Sequence, residues 1–467
     1  MLDLDLPLAP ANPALRRADD LPMIDAGSPQ ARATGFLSLV QRSLGLLGPD
    51  LQVRQPDGSV KLLLGRAEYG DAWRRNSRRL IKEVDDERAP ASLARLILDN
   101  NLTTAREGAE WEEMRARVAP LMRYKMQSYA QALSSAADGL AAGLTADAGE
   151  SLWTLCGRWS ARSVAQPVLG LGFPDHLVLD MVNQLRAGMF HLVQEADAKP
   201  RAALRVDPVL LRLRASLAQV VRDAIRLCRP GDQTMVATLL AQAGHPPGTE
   251  APPELVAQFQ PVLIGAIAAA VHNNSLALYW TLTRLAAHPD VAATLAQEAE
   301  GLADHPEGLI TERPEALAAV REALRLNPVL PFIERKASED LVLADLAVPG
   351  GTTVIFAPWV VHRDPQSWPD PLRYDPSRFA DSARVDLTRW FPFGLGHRAC
   401  IGSNLALSQL VVTVSRLCRD LHLAPHPANQ PVQTVPVWRV LLEPRADGAR
   451  LLAHPRARNL SQTLSRP

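Results

Sequence analysis

An almost unbroken helical pattern from Tyr69 to about Asp304 constrains the fold of this chain more than any other feature of its sequence. Apolar residues recur there at helical spacing, and only short Pro- and Gly-rich breaks such as Arg229-Pro230-Gly231-Asp232 interrupt them. After Arg325 the pattern changes, and two segments favour strands, Leu341–Leu343 and Thr352–Ala357. The sequence therefore predicts a mostly α fold with small β-sheets.

The segments on either side of the helical body predict further elements and the domain organisation. The first residues are rich in Pro, Ala and Asp, so we expect a loosely ordered arm over 1–33, followed by one domain over 34–467 without a flexible linker. Within that domain the local patterns predict a helix near Thr34–Leu47, a hairpin over Gln52–Leu64, a helix over Ile401–Asp420 and a terminal hairpin over Val435–Leu452.

Composition and charge exclude several classes of protein. Apolar residues make up 47% of the chain and charged residues 21%, which excludes a disordered or collagen-like chain. Fifty basic residues balance fifty acidic ones, so the net charge does not indicate nucleic acid, a polyanion or an anionic membrane as the principal partner. The four cysteines are widely separated and form no CxxC pair, which argues against a zinc ribbon or a disulfide scaffold.

The same features bear on location. The N-terminal segment carries acids where a secretory signal would carry bases, and the longest apolar run, Val262–Val271, has about half the length of a membrane span. We therefore expect a soluble, cytoplasmic protein without a membrane span.

The segment from Phe393 to Gly402 is the one most indicative of chemistry. Cys400 comes where a helix is predicted to begin, and the N–H groups and dipole at a helix N-terminus favour a thiolate, which is a strong soft ligand for iron. The flanking glycines suit a loop pressed against a flat macrocycle, and Arg398 can pair with a carboxylate. A cysteine before a helix, taken alone, is more often a buried core residue.

The order and spacing of Phe393, Gly396, Arg398, Cys400 and Gly402 resemble the cysteine-ligand loop of the cytochrome P450 family. The resemblance implies the fold of that family, with haem b (iron protoporphyrin IX) between the long central helix and the helix after the loop. It implies Cys400 as the iron ligand and Phe393, Gly396, Arg398 and Gly402 as residues that contact the haem.

Further motifs resemble the family in the same order along the chain. Glu322 and Arg325 are similar to its Glu-x-x-Arg motif, and Arg378 lies in a Pro-x-Arg-Phe segment, so the resemblance implies a buried structural triad of these three residues. Trp111 and Arg115 resemble its propionate-binding pair, and Arg335 resembles another propionate arginine less closely.

The long helix over Glu254–Ala287 departs from the family pattern. Most members carry an acid and an alcohol at its middle to relay protons, whereas this chain has His272 and Asn273, followed by Asn274. Histidine can donate or shuttle a proton, and asparagine can bind an oxygen atom. We therefore name these three residues as catalytic candidates. The alternative is that each of them only satisfies polar groups in its surroundings.

The resemblance implies a haem-thiolate monooxygenase, an oxidoreductase that inserts one oxygen atom from O2 into an apolar substrate, with electrons from a ferredoxin and a ferredoxin reductase. Predicted substrate-pocket residues are apolar, although they could equally be core: Ala269, Val329, Leu330, Phe332 and Ile333. Two other hypotheses stay open. One is a reductant-independent isomerase, dehydratase or peroxygenase, because of the changed residues on the long helix, and the other is a haem-thiolate binder or sensor without catalysis.

Overall fold

The computed structural model describes residues 15–456 apart from a set of short internal gaps, which are 30, 32–34, 86–89, 123–125, 147–149, 171–172, 197–198, 301, 303–310, 382–384, 387, 428, 430–435, 440 and 445–448. The α-helices, in chain order, are α1 Phe36–Leu47, α2 Tyr69–Arg75, α3 Pro90–Leu98, α4 Ala109–Val118, α5 Met126–Thr145, α6 Leu152–Leu169, α7 Asp175–Glu195, α8 Arg201–Arg205, α9 Pro208–Leu227, α10 Met235–Ala243, α11 Pro253–Ala287, α12 Pro289–Glu300, α13 Pro314–Leu326, α14 Pro358–Val361 and α15 Ser403–Asp420.

The strands are short and few by comparison. They are β1 Arg16–Arg17, β2 Met23–Asp25, β3 Asp50–Arg54, β4 Val60–Leu64, β5 Leu80–Ile81, β6 Ile333–Ala337, β7 Leu341–Leu343, β8 Leu346–Val348, β9 Thr353–Phe356, β10 Leu421–Pro425, β11 Pro436–Arg439, β12 Leu441–Pro444 and β13 Leu451–Pro455. The prediction of a mostly helical chain with small sheets is confirmed.

The chain divides into two compact units. The first comprises Met1–Ile81, Phe332–Pro369 and Leu387–Ala399, and the second comprises Lys82–Pro331, Asp370–Asp386 and Cys400–Pro467. The predicted division at residue 34 stays a prediction.

A six-stranded sheet organises the first unit, in the order β2-β3-β4-β9-β6-β5. The predicted hairpin is confirmed, because β3 and β4 pair antiparallel with Gln52 opposite Leu62. Leu63 and Leu64 are consecutive at the end of β4 and therefore lie on opposite faces of the sheet, and both are fully buried, so protein covers both faces there. β1, β8 and β7 form a second sheet.

The expectation of a loosely ordered arm is wrong for the part of it that the structure describes. β1 pairs parallel with β8, and β2 pairs parallel with β3, with Ile24 opposite Val53. Ile24 is 7% exposed. These pairings join residues far apart in sequence, so the Pro- and Ala-rich local composition gave no sign of them.

The second unit is built around α11, which packs most extensively against α6. Buried apolar residues lie on all sides of this helix, as expected for a core helix of a large helical protein. By length and composition α11 is the one described helix that is long and apolar enough to cross a membrane, and 56% of its apolar window is buried inside the protein. A core helix meets the same criterion.

The C-terminal strands pair differently from the predicted terminal hairpin. β11 pairs with β12, with Trp438 opposite Leu442, whereas β13 pairs with β10, with Leu451 opposite Pro425. The predicted turn at 445–448 lies outside the described residues. The prediction of one hairpin over Val435–Leu452 is wrong because β13 takes a partner that precedes the whole segment, and a local pattern cannot identify that partner.

Candidate active site

The first unit contains the loop that precedes Cys400. Gly394 and Gly396 both have φ of +76°, in the left-handed region that favours glycine. A Cβ on Gly396 would lie 2.4 Å from the Cβ of Ser77, so no other residue fits there without displacing the segment after α2. The N–H of His397 donates to the Oγ of Ser77 at 3.4 Å. The loop is therefore held in a fixed path by close backbone approach, and a single turn of 3₁₀-helix, Gly396–Arg398, follows it.

The second unit contains Cys400 itself, three residues before α15 begins at Ser403. All four cysteines are free thiols, and Cys400 is the one that is exposed, whereas Cys156, Cys228 and Cys418 are buried. Nearby protein atoms desolvate the Cys400 thiol and raise its pKa although the residue is exposed, and the N–H of Gly402, which donates to the sulfur, lowers it. The exposure of Cys400 does not fit the interpretation of this residue as a buried core cysteine.

Gly402 belongs to the same turn. A Cβ there would lie 3.6 Å from Cε of Met122 and 3.9 Å from Sγ of Cys400, which are ordinary contact distances. The backbone N–H of Gly402, rather than its lack of a side chain, is what this residue contributes to the sulfur.

The middle of α11 is half-exposed although the helix is buried on both sides of it. Four half-exposed residues at spacings of three and four lie on one face: Ala266, Ala269, Ala270 and Asn273. Small side chains with access to solvent at the centre of a buried helix are typical of a helix that lines an internal cavity. Ala266 and Ala270 pack against the same apolar cluster as Leu102, Met122 and Ile401.

His272 points away from this face of α11, because successive residues are rotated by about 100° around a helix. Its Nε2 lies 3.1 Å from Oε1 of Glu443 on β12, and its ring stands edge-on to Trp153 of α6 at 5.3 Å between centroids. The sequence did not identify Glu443, which is 171 residues from its partner and lies in a terminal strand with no local motif.

The two asparagines that follow lie in different surroundings. The Asn273 amide donates to the carbonyl of Ala269 on its own helix at 2.6 Å, and the residue is half-buried. Asn274 is buried, and its amide donates to Oε1 of Gln409 on α15 at 2.7 Å. Gln409 in turn donates to the carbonyl of Ser163 on α6 at 2.9 Å. Asn274 therefore joins three helices, whereas Asn273 lies on the face of small residues.

The predicted structural triad is brought together within the second unit. Arg325 donates from Nε and Nη2 to the two carboxylate oxygens of Glu322, at 2.6 and 2.8 Å, and both side chains are fully buried. Nε of Arg378 lies 3.4 Å from Oε1 of Glu322. Arg325 also donates to the carbonyls of Pro371 and Arg373, so α13 is tied to the coil after it by charge-assisted hydrogen bonds.

Trp111 and Arg115 lie about one turn apart on α4, in the same unit. Trp111 is buried, and the guanidinium of Arg115 lies over its ring at 5.3 Å from the centroid. Arg115 is half-buried and makes no ion pair with any residue in the described part of the chain. A stacked, half-buried guanidinium without a carboxylate of its own suits a carboxylate from a bound group.

The remaining candidates are divided between the units. In the first unit Arg335 lies on β6 and donates to the carbonyl of Glu334 at 2.7 Å, while Phe332 and Ile333 are buried, with Phe332 edge-on to Phe36 at 5.3 Å. Phe393 lies edge-on to Trp390 at 6.2 Å, and Arg398 ends the 3₁₀ turn. In the second unit Val329 and Leu330 are half-buried. The carbonyl of Val329 accepts a hydrogen bond from the Leu442 N–H at 2.8 Å.

Comparison with known proteins identifies the family of this site. Residues 257–448 match the family model described as cytochrome P450. The chain is 32% identical over 182 residues to 25-hydroxyvitamin D-1 alpha hydroxylase, mitochondrial, of Mus musculus, an alignment that covers 38% of this chain and 36% of that protein. It is 30% identical over 272 residues to putative cytochrome P450 135B1 of Mycobacterium tuberculosis, covering 57% and 49%.

A third similar protein is cytochrome P450 4A24 of Sus scrofa, 32% identical over 160 residues, which are 33% of this chain and 32% of that protein. The chain thus spans about a third to a half of the length of the curated relatives that it matches. The matched segment contains α11 from residue 257 onward, the Glu322–Arg325 pair and the cysteine loop. Residues 257–448 of the chain are thus similar to the cytochrome P450 family, whose cofactor is haem bound through a cysteine thiolate.

Proposed function

We propose that this protein is a haem-thiolate monooxygenase that inserts one oxygen atom from O2 into an apolar organic substrate. The observation that carries the proposal is the position of Cys400, the one exposed thiol of the chain, at the N-terminus of α15. It lies in the same unit as the face of small residues on α11. A thiolate ligand and a helix that leaves room for a substrate are the two parts that such an enzyme needs.

The residues of the second unit fit a haem. Cys400 would bind the iron, with the Gly402 N–H donating to the sulfur, and Arg115 on Trp111 would hold a propionate. When bound, the haem supplies the redox chemistry that cleaves O2, which the electron-rich thiolate promotes. Glu322, Arg325 and Arg378 would keep the surrounding chain rigid. Arg335, Arg398, Phe393 and Gly396 stay predicted haem contacts on the strength of the resemblance.

The chain would bind an apolar substrate with little hydrogen bonding. Ala266, Ala269 and Ala270 offer a face of methyl groups, and Leu102 and Ile401 are partly buried apolar residues that pack against the same cluster. Asn273 is the polar residue on this face, and its carboxamide oxygen can accept a hydrogen bond from water or from a substrate hydroxyl. A lipid, terpenoid, steroid or polyketide-like compound fits this description.

Electrons would come from an acidic ferredoxin and its reductase. Arg74, Arg75, Arg78 and Arg79 are exposed around Ser77, the residue against which the cysteine loop is pressed. Such a cluster attracts an acidic protein over long range and speeds its association at low salt. Arg75→Glu should therefore slow reduction by ferredoxin without changing substrate binding. The free thiols agree with a reducing compartment, which supports a cytoplasmic location.

A second candidate function is a reductant-independent isomerase, dehydratase or peroxygenase. The observation that favours it is Asn273 on the accessible face of α11, where most of the family has an alcohol. Asparagine can orient a bound peroxide or an oxygenated substrate without delivering a proton.

One experiment separates the two functions. The purified ferric protein is titrated with fatty acids, terpenes, steroids and aromatics while the spin state of the iron is recorded, and each ligand is then turned over with ferredoxin, reductase and NADPH, with hydrogen peroxide, or with neither. Hydroxylated or epoxidised product that requires NADPH and O2 supports the monooxygenase. Product that forms only with peroxide, or without any electron donor, and never with NADPH and O2 through the redox partners, supports the second function and overturns the first.

A further inference from the structure

His272 belongs to a cluster of four side chains that come from four different elements of the second unit. Its Nε2 lies 3.1 Å from Oε1 of Glu443 on β12, and Nη2 of Arg186 on α7 lies 3.7 Å from the same oxygen. Trp153 of α6 contacts the His272 ring edge-on, and the Arg186 guanidinium lies 6.0 Å from the centroid of the Trp153 ring. Each member thus touches two others.

The backbone at the carboxylate of this cluster is anchored to the helix. The indole N–H of Trp280 on α11 donates to the carbonyl of Leu442 at 2.8 Å, directly before Glu443. Trp280 and Leu442 are both buried. The carboxylate is consequently presented to His272 from a fixed backbone rather than from a flexible loop.

The position of Glu443 assigns a tautomer to His272. A carboxylate that accepts a hydrogen bond from Nε2 places the ring hydrogen on that nitrogen. Nδ1 is then the nitrogen left to exchange a proton with water. The side chains of His272 and Glu443 are 12% and 11% exposed, whereas Arg186 is 43% exposed, so the cluster extends from the middle of α11 to solvent.

We propose that Glu443 is a positioning residue that makes His272 the proton donor of this enzyme, in the place where related enzymes use an acid on the long helix. This inference rests on the proposed monooxygenase function, in which each turnover consumes protons as well as electrons. His272 gives the proton on Nδ1 to a water beside the middle of α11 and takes a replacement from solvent water. The hydrogen on Nε2 stays on that nitrogen, hydrogen-bonded to Glu443, and no electron moves. Arg186 holds the carboxylate in place, and Trp153 holds the imidazole ring.

The competing explanation is that Glu443 only fastens β12 to α11. The variant Glu443→Gln separates the two, because glutamine preserves the size and a hydrogen bond but has no charge and can either donate or accept. The matched control is Glu150→Gln, which removes a carboxylate that pairs with Arg158 at the exposed start of α6.

The first measurement does not depend on activity. Nitrogen NMR of histidine-labelled protein in the diamagnetic ferrous–carbon monoxide form, assigned with His272→Gln, reports the tautomer of His272. The expected result is the Nε2–H form in the parent protein and in Glu150→Gln, and a mixture of tautomers in Glu443→Gln. A His272 tautomer that is the same in all three proteins would overturn the positioning role.

The second measurement is the amount of product formed per O2 consumed. Glu443→Gln should lower this ratio by about tenfold, because a proton donor that has lost its orienting partner delivers protons less efficiently. The thiolate Soret band and the urea midpoint should be retained, and Glu443→Asp should partly restore the ratio. An unchanged ratio in Glu443→Gln, with an altered tautomer, contradicts proton donation by His272. A parent protein that needs no reductant contradicts the proposed function instead, and the tautomer measurement still tests the geometry.

Discussion

Asn273 and Asn274 are consecutive on α11, yet the amide of Asn273 donates to its own helix at Ala269, whereas the amide of Asn274 donates across to Gln409 on α15. The first residue is half-buried on the face of small side chains, and the second is buried between helices. Adjacent and chemically identical residues therefore lie in different surroundings, one on the accessible face of the helix and the other in the contact between helices.

We predict that alanine substitutions at these two positions have different effects. Asn274→Ala should leave Oε1 of Gln409 buried without its donor and lower the free energy of unfolding by about 1–3 kcal/mol. Asn273→Ala removes only a bond to the carbonyl of its own helix, so stability should change by less than about 0.5 kcal/mol while more O2 is consumed per product. Urea denaturation and the coupling ratio measure the two effects. If Asn274→Ala uncouples the enzyme and Asn273→Ala does not, the assignment is reversed.

The single exposed thiol leads to a prediction about labelling. In haem-free folded protein, iodoacetamide at a pH of about 8.5, close to the ordinary pKa of a thiol, should modify Cys400. It should spare Cys156, Cys228 and Cys418, because these three thiols are buried whereas Cys400 is exposed. Peptide mass spectrometry identifies the modified residue.

The holoprotein provides the companion result for Cys400. Bound haem should protect this thiol from labelling, and Cys400→Ser should abolish the red-shifted Soret band of the ferrous–carbon monoxide form. Cys418→Ser should keep the band, since Cys418 is buried on the opposite end of α15. Retention of the band in Cys400→Ser would show that another residue ligates the iron.

The buried triad leads to a prediction about stability. Glu322→Gln leaves the fully buried Arg325 guanidinium without its counter-charge, so we expect the free energy of unfolding to fall by about 3–5 kcal/mol. Arg378→Lys should cost less, because Arg378 is 12% exposed and its contact to Glu322 is longer, 3.4 Å. Glu150→Gln breaks a solvent-exposed pair and should change stability by less than about 1 kcal/mol. Equal losses in the three variants, measured by urea denaturation, would argue against a structural role for the triad.

The helical body, the first hairpin and the cysteine loop could be predicted because their signals are local. Apolar spacing predicts α11 and α15, and a run of ten residues contains the whole loop from Phe393 to Gly402. Contacts between distant segments could not be predicted in the same way. Glu443 reaches His272 from 171 residues away, and β13 pairs with β10 rather than with the strand before it. In such cases the partner is determined by tertiary packing, which leaves no pattern near either residue.

Alkaline pH should destabilise the protein through buried acidic groups that keep their protons in the native state. Burial raises the pKa of Cys418 from 9.0 to about 12, and burial raises the pKa of Tyr374 well above its ordinary 10.0. The unfolded chain releases these protons at lower pH than the native protein does, so unfolding becomes easier as pH rises. The contribution of Cys418 is complete below pH 9.0 and is lost progressively toward pH 12.

Urea denaturation from about pH 8 to about pH 11 spans the ordinary pKa values of thiols and phenols and tests this prediction. The free energy of unfolding should fall throughout the upper part of this range. Cys418→Ala should be less stable at neutral pH because it leaves a cavity, but its stability should fall less steeply with pH. Parallel curves for the two proteins would mean that Cys418 does not contribute to the alkaline transition.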